Sequence, residues 1–242
     1  MKIYGKTDTG VVRKTNQDSF NFGVINESFV WAVVCDGVGG NNSGDVASHL
    51  ATEVVQKKIN DVYRENMTDD EIKSLLSSCI EFASSEIFNK SNEKQEYFGM
   101  RTTIVLVAVR NDIIHVAHVG DSRAYLISEN SIKQLTVDHS IVQELVKKGE
   151  ITTEEAKNHP KKNIITRSLG AQSDVEVDYV QQNFPKDSAI LVCTDGLSNY
   201  MEKQELLNYF KDLEGQQLVD SLINYANDMG GNDNITALVI TR

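Results

Sequence analysis

The chain has 242 residues, of which 40% are hydrophobic and 24% are charged, a composition typical of a folded globular protein rather than a disordered one. Its 24 Lys and Arg residues stand against 35 Asp and Glu residues, which gives a formal net charge of −11. This acidic balance argues against nucleic acid or an anionic membrane as a partner, since both select basic surfaces, and it leaves carboxylates available for a hard cation.

The first predicted elements are strands. Asp18 opens one strand, and the apolar, β-branched run Phe29–Cys35 predicts a second, buried one. That run is much shorter than the roughly 20 residues needed to cross a bilayer, and the N-terminus has no apolar signal region. The three cysteines are an odd number without a disulfide spacing. We therefore expect free thiols in the cytoplasm and no contact with a membrane.

Two long helices are predicted next. Ser43 is a candidate N-cap for a helix that runs to about Glu65. The sequence Thr68-x-x-Glu71 is a capping box that opens a second helix, which continues to about Asn89. Apolar residues recur at helical spacing in both segments, so each helix is expected to pack one face against a core.

Strands and shorter helices alternate less regularly in the rest of the chain. The predicted strands are Thr102–Val109, Ile113–Val119, Ala124–Ile127, Val175–Gln181, Ala189–Cys193 and Ile235–Thr241. The predicted helices are Ile141–Lys148, Thr153–Asn158, Lys203–Lys211 and Gln216–Met229. Short polar turns between successive strands indicate antiparallel hairpins. The pattern predicts an α+β fold with helices packed on antiparallel sheets, because strands and helices do not alternate as in a doubly wound parallel fold.

Aspartates stand at the ends of several predicted strands, most of them close to glycine. Asp36, Asp121 and Asp195 each follow an apolar strand, Asp233 precedes one, and Asp18 opens another. A single Asp-Gly pair after a strand is more often an ordinary turn. Several such acids that converge would repel one another unless a cation lay between them. Ligands that are all oxygen suit Mg²⁺ or Mn²⁺ better than zinc.

A series of motifs extends this pattern over essentially the whole chain. They are Arg13-x-x-Asn16-Gln17-Asp18, Asp36-Gly37-Val38-Gly39-Gly40, Gly44-Asp45-x-Ala47-Ser48, Thr102-Thr103, Val119-Gly120-Asp121-Ser122-Arg123-Ala124, Asp138-His139-Ser140, Ile165-Thr166-Arg167-Ser168-Leu169-Gly170, Thr194-Asp195-Gly196-Leu197 and Gly231-Asn232-Asp233-Asn234-Ile235-Thr236. In this order they resemble the small bacterial members of the metal-dependent protein phosphatases, the PPM or PP2C-type serine/threonine phosphatases. Each motif is weak alone, and the ordered set is specific.

The resemblance implies a fold and a domain organisation. The expected architecture is a four-layer α/β-β/α sandwich, in which two central antiparallel β-sheets are flanked by helix pairs. Residues 1–242 are expected to form a single phosphatase domain. A flap subdomain at about residues 137–163 would influence the choice of substrate.

The resemblance also implies a two-metal centre of Mn²⁺ or Mg²⁺ ions. Asp36 would bridge the two ions, and the carbonyl of Gly37 would bind one of them. Asp195 and Asp233 would complete the direct protein ligands. Asp18 would act in catalysis by holding metal-bound waters.

Two further roles follow from the same resemblance. Asp121, together with Asp195, would bind a labile third ion, and Arg13 would clamp the substrate phosphate. A metal-bridged hydroxide would then attack phosphoserine or phosphothreonine in proteins without a covalent phosphoenzyme. The expected partners are phosphoproteins and the serine/threonine kinase that the enzyme opposes, and a monomer is the default state.

Some positions depart from the family pattern. Arg101 stands where glycine is usual, and Val38 stands where eukaryotic relatives carry histidine. Asn199 replaces an acid that some relatives place near the third ion, which predicts weaker binding there. His139 either supports the start of a helix or touches the substrate, and the structural role is favoured.

Two other functions stay open from the sequence. A pseudophosphatase would bind phosphoproteins or a regulator without turnover, although Arg13, Asp36, Asp195 and Asp233 are all intact. A phosphatase for small molecules would use the same metal chemistry. An open site favours protein substrates, whereas a deep enclosed pocket favours metabolites.

Overall fold

The computed structural model describes residues 1–38 and 43–242. Gly39 and Gly40, the last two residues of the motif that begins at Asp36, lie outside the described residues. The described strands are β1 (Lys2–Asp8), β2 (Asp18–Asn26), β3 (Phe29–Val38), β4 (Arg101–Thr102), β5 (Ile104–Arg110), β6 (Ile113–Val119), β7 (Arg123–Ser128), β8 (Ser131–Gln134), β9 (Asp178–Asn183), β10 (Ala189–Cys193) and β11 (Ile235–Thr241). The helices are α1 (Gly44–Val62), α2 (Asp69–Ser91), α3 (Ile141–Lys147), α4 (Thr153–Lys157), α5 (Asp195–Ser198), α6 (Lys203–Asp212) and α7 (Gly215–Asp228), with a 3₁₀ turn at Gln95–Tyr97.

The strands form two antiparallel sheets. The first has the order β1-β11-β10-β7-β8 and the second has the order β2-β3-β5-β6-β9, with β4 paired to the end of β3. Every strand pair in both sheets is antiparallel. This confirms the expected α+β class with antiparallel sheets.

Side-chain alternation in β3 shows how the layers stack. Val30, Ala32 and Val34 point into the space between the sheets, where they meet Val192 and Leu238 from the first sheet. The residues between them are equally buried but face α1 and α2 on the outer side. Because β3 is covered on both faces, its sequence is continuously apolar rather than alternating.

A third apolar cluster covers the outer face of the first sheet. Leu218, Leu222 and Ala226 of α7 pack there against Leu191 and Val239. With α1 and α2 on the opposite side, the molecule has the four-layer arrangement that was expected. Among the described helices, none combines the length and the apolarity needed to cross a membrane.

Local signals predicted some helix starts and missed others. Thr68 and Glu71 form the predicted capping box at the start of α2. Ser43 precedes α1 but makes no side-chain cap, since its backbone is left-handed and its hydroxyl donates to the carbonyl of Glu96. The strand expected over Val175–Gln181 begins at Asp178, where pairing with β6 starts.

The core between the sheets is expected to dominate stability. Val192→Ala removes two buried methyl groups and should lower the free energy of unfolding by about 2 kcal/mol, because the neighbouring strands cannot close the space. Val24→Ala is the matched control, since Val24 is 57% exposed, and it should change stability by no more than about 0.5 kcal/mol. Urea unfolding measures both. Equal effects of the two substitutions would contradict this description of the core.

Candidate metal centre

Five aspartates come together at one end of the sandwich. Asp18 begins β2 and lies directly opposite Asp36 near the end of β3. Asp121 and Asp195 lie two residues after β6 and β10, and Asp233 lies two residues before β11. The charges of the other four aspartates all raise the pKa of Asp36, so the five carboxyl groups form one electrostatic cluster. The structure therefore brings together the acids that the sequence placed at separate strand ends.

Asp18 is the most deeply buried acid of the cluster, with 3% of its surface exposed. Its Oδ2 accepts hydrogen bonds from the hydroxyls of Thr194 (2.9 Å) and Thr236 (2.7 Å). Its Oδ1 is buried and has no hydrogen-bond partner. Burial, reinforced by the charges of Asp195 and Asp233, raises the pKa of Asp18 to about 7 despite the two hydrogen bonds. A buried unpaired carboxylate oxygen is costly unless a cation or water completes it.

The backbone of Asp36 is fixed by the segment beside it. The Asp36 amide donates to Oγ1 of Thr103 (3.0 Å), and the Asp36 carbonyl accepts from Oγ1 of Thr102 (2.9 Å) and from the Thr103 amide (2.9 Å). These bonds hold the side chain at the end of the strand. Burial and the neighbouring acids raise the pKa of Asp36 well above its usual value.

Glycine beside the acids permits close approach of backbone segments. A Cβ on Gly37 would lie 2.3 Å from the carbonyl oxygen of Gly44 and 2.5 Å from that of Gln17. A Cβ on Gly196 would lie 2.0 Å from the carbonyl oxygen of Asn234. Neither contact is possible for a larger residue. At both Asp-Gly pairs, therefore, the glycine lets another backbone segment pack closely beside the aspartate, which an ordinary turn does not require.

Asp195 carries a second unpaired oxygen. Its Oδ1 is buried without a partner, and its Oδ2 accepts from the side-chain amide of Asn199 (3.1 Å). Burial and the charge of Asp233 raise the pKa of Asp195. Asn199 stands where some relatives carry an acid. Its side-chain amide instead donates a hydrogen bond to Asp195.

Asp121 lies at the edge of the cluster. Burial, followed by the charges of Asp195 and Asp138, raises its pKa to about 7. The guanidinium of Arg123 opposes this effect, while it is itself held by a two-pronged contact with Asp138. From Asp121 and Asp195, a cleft of about 730 Å³ extends between α3 and α4 on one side and α5 and α6 on the other.

Arg13 was predicted to bind the substrate phosphate, and in the structure it contacts one of the acids of the cluster. Its Nη2 lies 2.8 Å from Oδ2 of Asp233, and about half of the Arg13 side chain is exposed. The loop before Arg13 is tied to the same turn, because the amides of Val11 and Val12 donate to the carbonyl of Gly231. Arg13 is therefore a counter-ion for Asp233 in this structure. Its predicted contact with phosphate stays a prediction.

Sequence reasoning assigned no role to several polar residues that organise the site. Asn234 accepts from the Gln17 amide (2.8 Å) and donates to the carbonyls of Thr9 and Thr15 (both 2.9 Å), so it joins the Arg13 loop to the turn before β11. Thr236 holds Asp18 from the inward face of β11. A polar residue at an inward position of an otherwise apolar strand is the signal that could have revealed it.

A second group of possible metal ligands comes from β6, β9 and the segment before α3. One ligand atom from each of His118, His139 and Asp178 falls within 4.8 Å of the others. The two imidazole rings stack at 15°, so their nitrogen lone pairs lie in nearly parallel planes, which is unfavourable for binding one ion together. Arg167 already binds Asp178 at 2.6 Å, and Nδ1 of His139 accepts from the amide of Gly120 (3.0 Å). These contacts favour the structural role for His139.

Comparisons with known proteins agree with this geometry. The chain matches the family described as protein phosphatase 2C over residues 11–233. It is 36% identical over 241 residues to the serine/threonine phosphatase stp of Listeria monocytogenes, covering 98% of this chain and 94% of that protein. It is similar to the crystal structure of serine/threonine phosphatase Stp1 from Staphylococcus aureus, with a TM-score of 0.94, 31% identity, and coverage of 100% of this chain and 94% of that one.

A further solved structure contains metal. It is the catalytic domain of the serine threonine protein phosphatase PstP in complex with 2 manganese ions, with a TM-score of 0.85 and 28% identity. The alignment covers 98% of this chain and 96% of that chain.

The raised pKa of Asp18 predicts a pH-dependent difference in stability. In a chelator, Asp18→Asn should gain stability relative to the unmodified protein as the pH rises from about 5 to 7, on the order of 1.4 kcal/mol per pH unit for the loss of this one titration. The folded protein keeps the Asp18 proton up to about pH 7, whereas the unfolded chain releases it near pH 4, so ionisation costs the folded state in this window.

Urea unfolding of both proteins at several pH values measures this difference. Burial lowers the pKa of His115, His118 and His139, and their opposite titration cancels because both proteins contain them. Added Mn²⁺ should stabilise the unmodified protein more than Asp18→Asn, since residue 18 attracts a cation only as a carboxylate. A difference that stays constant with pH would contradict the assignment of a raised pKa to Asp18.

Proposed function

Since this chain belongs to the protein phosphatase 2C family, we propose that its aspartate cluster is the active centre at which it hydrolyses phosphoserine and phosphothreonine with Mn²⁺ or Mg²⁺. The chain is a metal-dependent protein serine/threonine phosphatase. The observation that carries the assignment of the site is the pair of buried, unpaired carboxylate oxygens, one on Asp18 and one on Asp195, within a group of five acids.

The donor set fits a hard divalent cation. Several buried carboxylates in one place repel one another, and the raised pKa values of Asp18, Asp36, Asp121 and Asp195 express that repulsion together with burial. Oxygen ligands with room for water suit Mg²⁺ or Mn²⁺. The manganese in the similar PstP structure supports Mn²⁺ as the first ion to test.

We assign the roles within the cluster as follows. Asp36 would hold both ions, the carbonyl of Gly37 would bind one of them, and Asp195 and Asp233 would complete the direct protein ligands. Asp18 would hold water bound to the ions, because its Oδ1 is buried and has no hydrogen-bond partner. The bonds from Thr194 and Thr236 keep that carboxyl group in place.

Arg13 provides the cationic clamp for the substrate. When bound, the ions activate water for attack on phosphorus and neutralise the phosphate oxygens. A cation held by Asp233 would take the place of Arg13 as the counter-ion of that carboxylate. The guanidinium would then be free to bind phosphate oxygens through paired hydrogen bonds. The exposed pair with Asp233 is weak enough to exchange in this way.

The intact acid cluster separates this enzyme from a pseudophosphatase. Asp36, Asp195 and Asp233 are all present and grouped, whereas a binding module has no need of buried carboxylates that repel one another. Family membership favours phosphoproteins over small molecules as substrates. We further propose that a serine/threonine kinase supplies these phosphoproteins.

The flap, the monomeric state and the cytoplasmic location also belong to this proposal. Residues 137–163 contain α3 and α4, which form one wall of the cleft that begins at Asp121 and Asp195. A segment in that position can contact the substrate around the phosphorylated residue, within one phosphatase domain of residues 1–242. The three cysteines are buried free thiols, which supports a reducing compartment.

Loss of a direct ligand is expected to abolish turnover without unfolding the protein. Asp36→Asn and Asp195→Asn should each lower kcat on p-nitrophenyl phosphate and on a phosphothreonine peptide by about 100-fold or more, because several kcal/mol of charge stabilisation are lost. The assays use Mn²⁺, with chelator as the negative control. Asp61→Asn, at the far end of α1, is the matched charge change and should keep full activity. Near-normal activity in both ligand variants would overturn the site assignment.

The third ion is expected to depend on Asp121. Asp121→Asn should remove the weakest of the Mn²⁺ binding events seen by calorimetry and should leave the two tighter ones in place. The concentration of Mn²⁺ required for half-maximal activity should rise about tenfold. Loss of a carboxylate that supports a metal site typically lowers metal affinity by at least this much. Unchanged stoichiometry and unchanged Mn²⁺ dependence would exclude a third site at this residue.

A further inference from the structure

We propose that Arg101 is a specificity-determining residue that binds a second anionic group of the substrate, a carboxylate or another phosphate on a residue flanking the scissile phosphate. This inference rests on the proposed function, because it places Arg101 at the rim of the same site. It is carried by the position of Arg101 on the sheet, by the exposure of its side chain, and by the charge around it.

Strand register places Arg101 on the same face as Asp36. In the short pairing of β3 with β4, Val38 lies opposite Arg101 and Gly37 lies opposite Thr102. Residues directly opposite one another in an antiparallel pair point to the same face of the sheet. Asp36, two residues before Val38, also points to that face. A diagonal neighbour is about 7–8 Å away, a distance that an arginine side chain can span.

That face is the interior face of the sandwich, at its open end. Val30, Ala32 and Val34 of β3 and Val105 and Val107 of β5 point between the two sheets. The register of β3 with β5 continues through β4 without a shift, so the alternation extends to Asp36 and then to Arg101. Arg101 therefore extends from the wall of the site rather than from its outer surface.

The backbone at this point is fixed while the side chain remains exposed. Thr102 pairs with Leu169 through two hydrogen bonds (3.3 and 2.9 Å), in addition to its place opposite Gly37. Met100 and Thr102 are fully buried, whereas Arg101 between them is exposed. A guanidinium on a rigid strand edge is suited to a ligand that arrives from outside.

The other arginines are already engaged. Arg13, Arg110, Arg123, Arg167 and Arg242 pair with acids, and Arg64 donates to backbone carbonyls. Within residues 1–38 and 43–242, Arg101 forms neither an ion pair nor a side-chain hydrogen bond. It is a cation at the edge of an acidic cluster in a chain with a net charge of −11.

Position distinguishes the partner of Arg101 from that of Arg13. Arg13 reaches Asp233 within the cluster, whereas Arg101 lies beyond Val38, further along the strand from Asp36. Arg13 would therefore bind the scissile phosphate, and Arg101 would face a residue that flanks it in the substrate. The planar guanidinium binds carboxylate and phosphate oxygens through paired hydrogen bonds, which defines the class of group it selects.

Three matched phosphothreonine peptides test this proposal with the full-length protein in Mn²⁺. One has neutral flanking residues, one has glutamates on both sides, and one carries a second phosphothreonine. The measured quantity is the ratio of kcat/KM for each anionic peptide to kcat/KM for the neutral peptide. Arg101→Gln and Arg101→Gly should each lower this ratio at least fivefold, and Arg101→Lys should retain part of it. The two anionic peptides distinguish a carboxylate from a phosphate as the preferred group.

Arg64→Gln is the matched control for loss of one positive charge. Arg64 follows the C-terminal end of α1, a helix of 19 residues whose other end adjoins Gly37, so the two sites are separated by about 28 Å. The kcat/KM ratios of Arg64→Gln should equal those of the unmodified protein. A similar fall in Arg64→Gln would assign the effect to long-range charge and would overturn the proposal.

Two other results would also overturn it. Ratios that do not change in Arg101→Gln and in Arg101→Gly would show that Arg101 contacts no flanking anion. Altered Mn²⁺ affinity in calorimetry, with equal losses on all peptides, would show that Arg101 acts on the metal centre instead. Absence of hydrolysis by the unmodified protein on every substrate would count against the proposed function itself, so the two failures are distinguishable.

Discussion

Mutual repulsion among five aspartates at one end of the sandwich is the constraint on which the rest of the site depends. Asp18, Asp36, Asp121 and Asp195 are held where water cannot fully solvate them, and their raised pKa values show the cost of charging them together. Hydroxyl donors at Asp18, an amide donor at Asp195 and the guanidinium at Asp233 each offset part of that cost. Divalent cations between the carboxylates, as proposed above, would offset the rest of that cost.

The two sheets contribute different members of this cluster. Asp18 and Asp36 come from the sheet that packs on α1 and α2, whereas Asp195 and Asp233 flank strands of the opposite sheet. The packing of Val34, Val192 and Leu238 between the sheets therefore sets the spacing of these aspartates. Interiors packed at this density resist deformation, so the core of the sandwich also serves as the rigid support of the aspartate cluster.

Three arginines near the aspartate cluster have different surroundings. Arg13 is the counter-ion of Asp233. Arg123 is fixed by Asp138 and lowers the pKa of Asp121 from within the fold. Arg101 is exposed on the wall of the site, where its charge is available to a substrate. An enzyme with an acidic surface thus gains a local attraction for anionic segments through a few placed guanidinium groups.

Sequence alone determined the features that arise from short-range chemistry. The apolar run Phe29–Cys35 became β3, and Thr68 with Glu71 became the capping box of α2, because both depend on residues close in the chain. Asp36 and Asp195 were identified from Asp-Gly pairs at strand ends. The ordered motifs then indicated the family and the expected roles of the acids and of Arg13.

Only the tertiary structure decided the contacts between distant segments. β1 was missed because its burial comes from pairing with β11, more than 200 residues away, rather than from an apolar sequence. The bonds from Thr194 and Thr236 to Asp18, and the contact of Arg13 with Asp233, depend on loops brought together by sheet packing. The face on which Arg101 stands follows from register, and register is set by long-range pairing that no local pattern encodes.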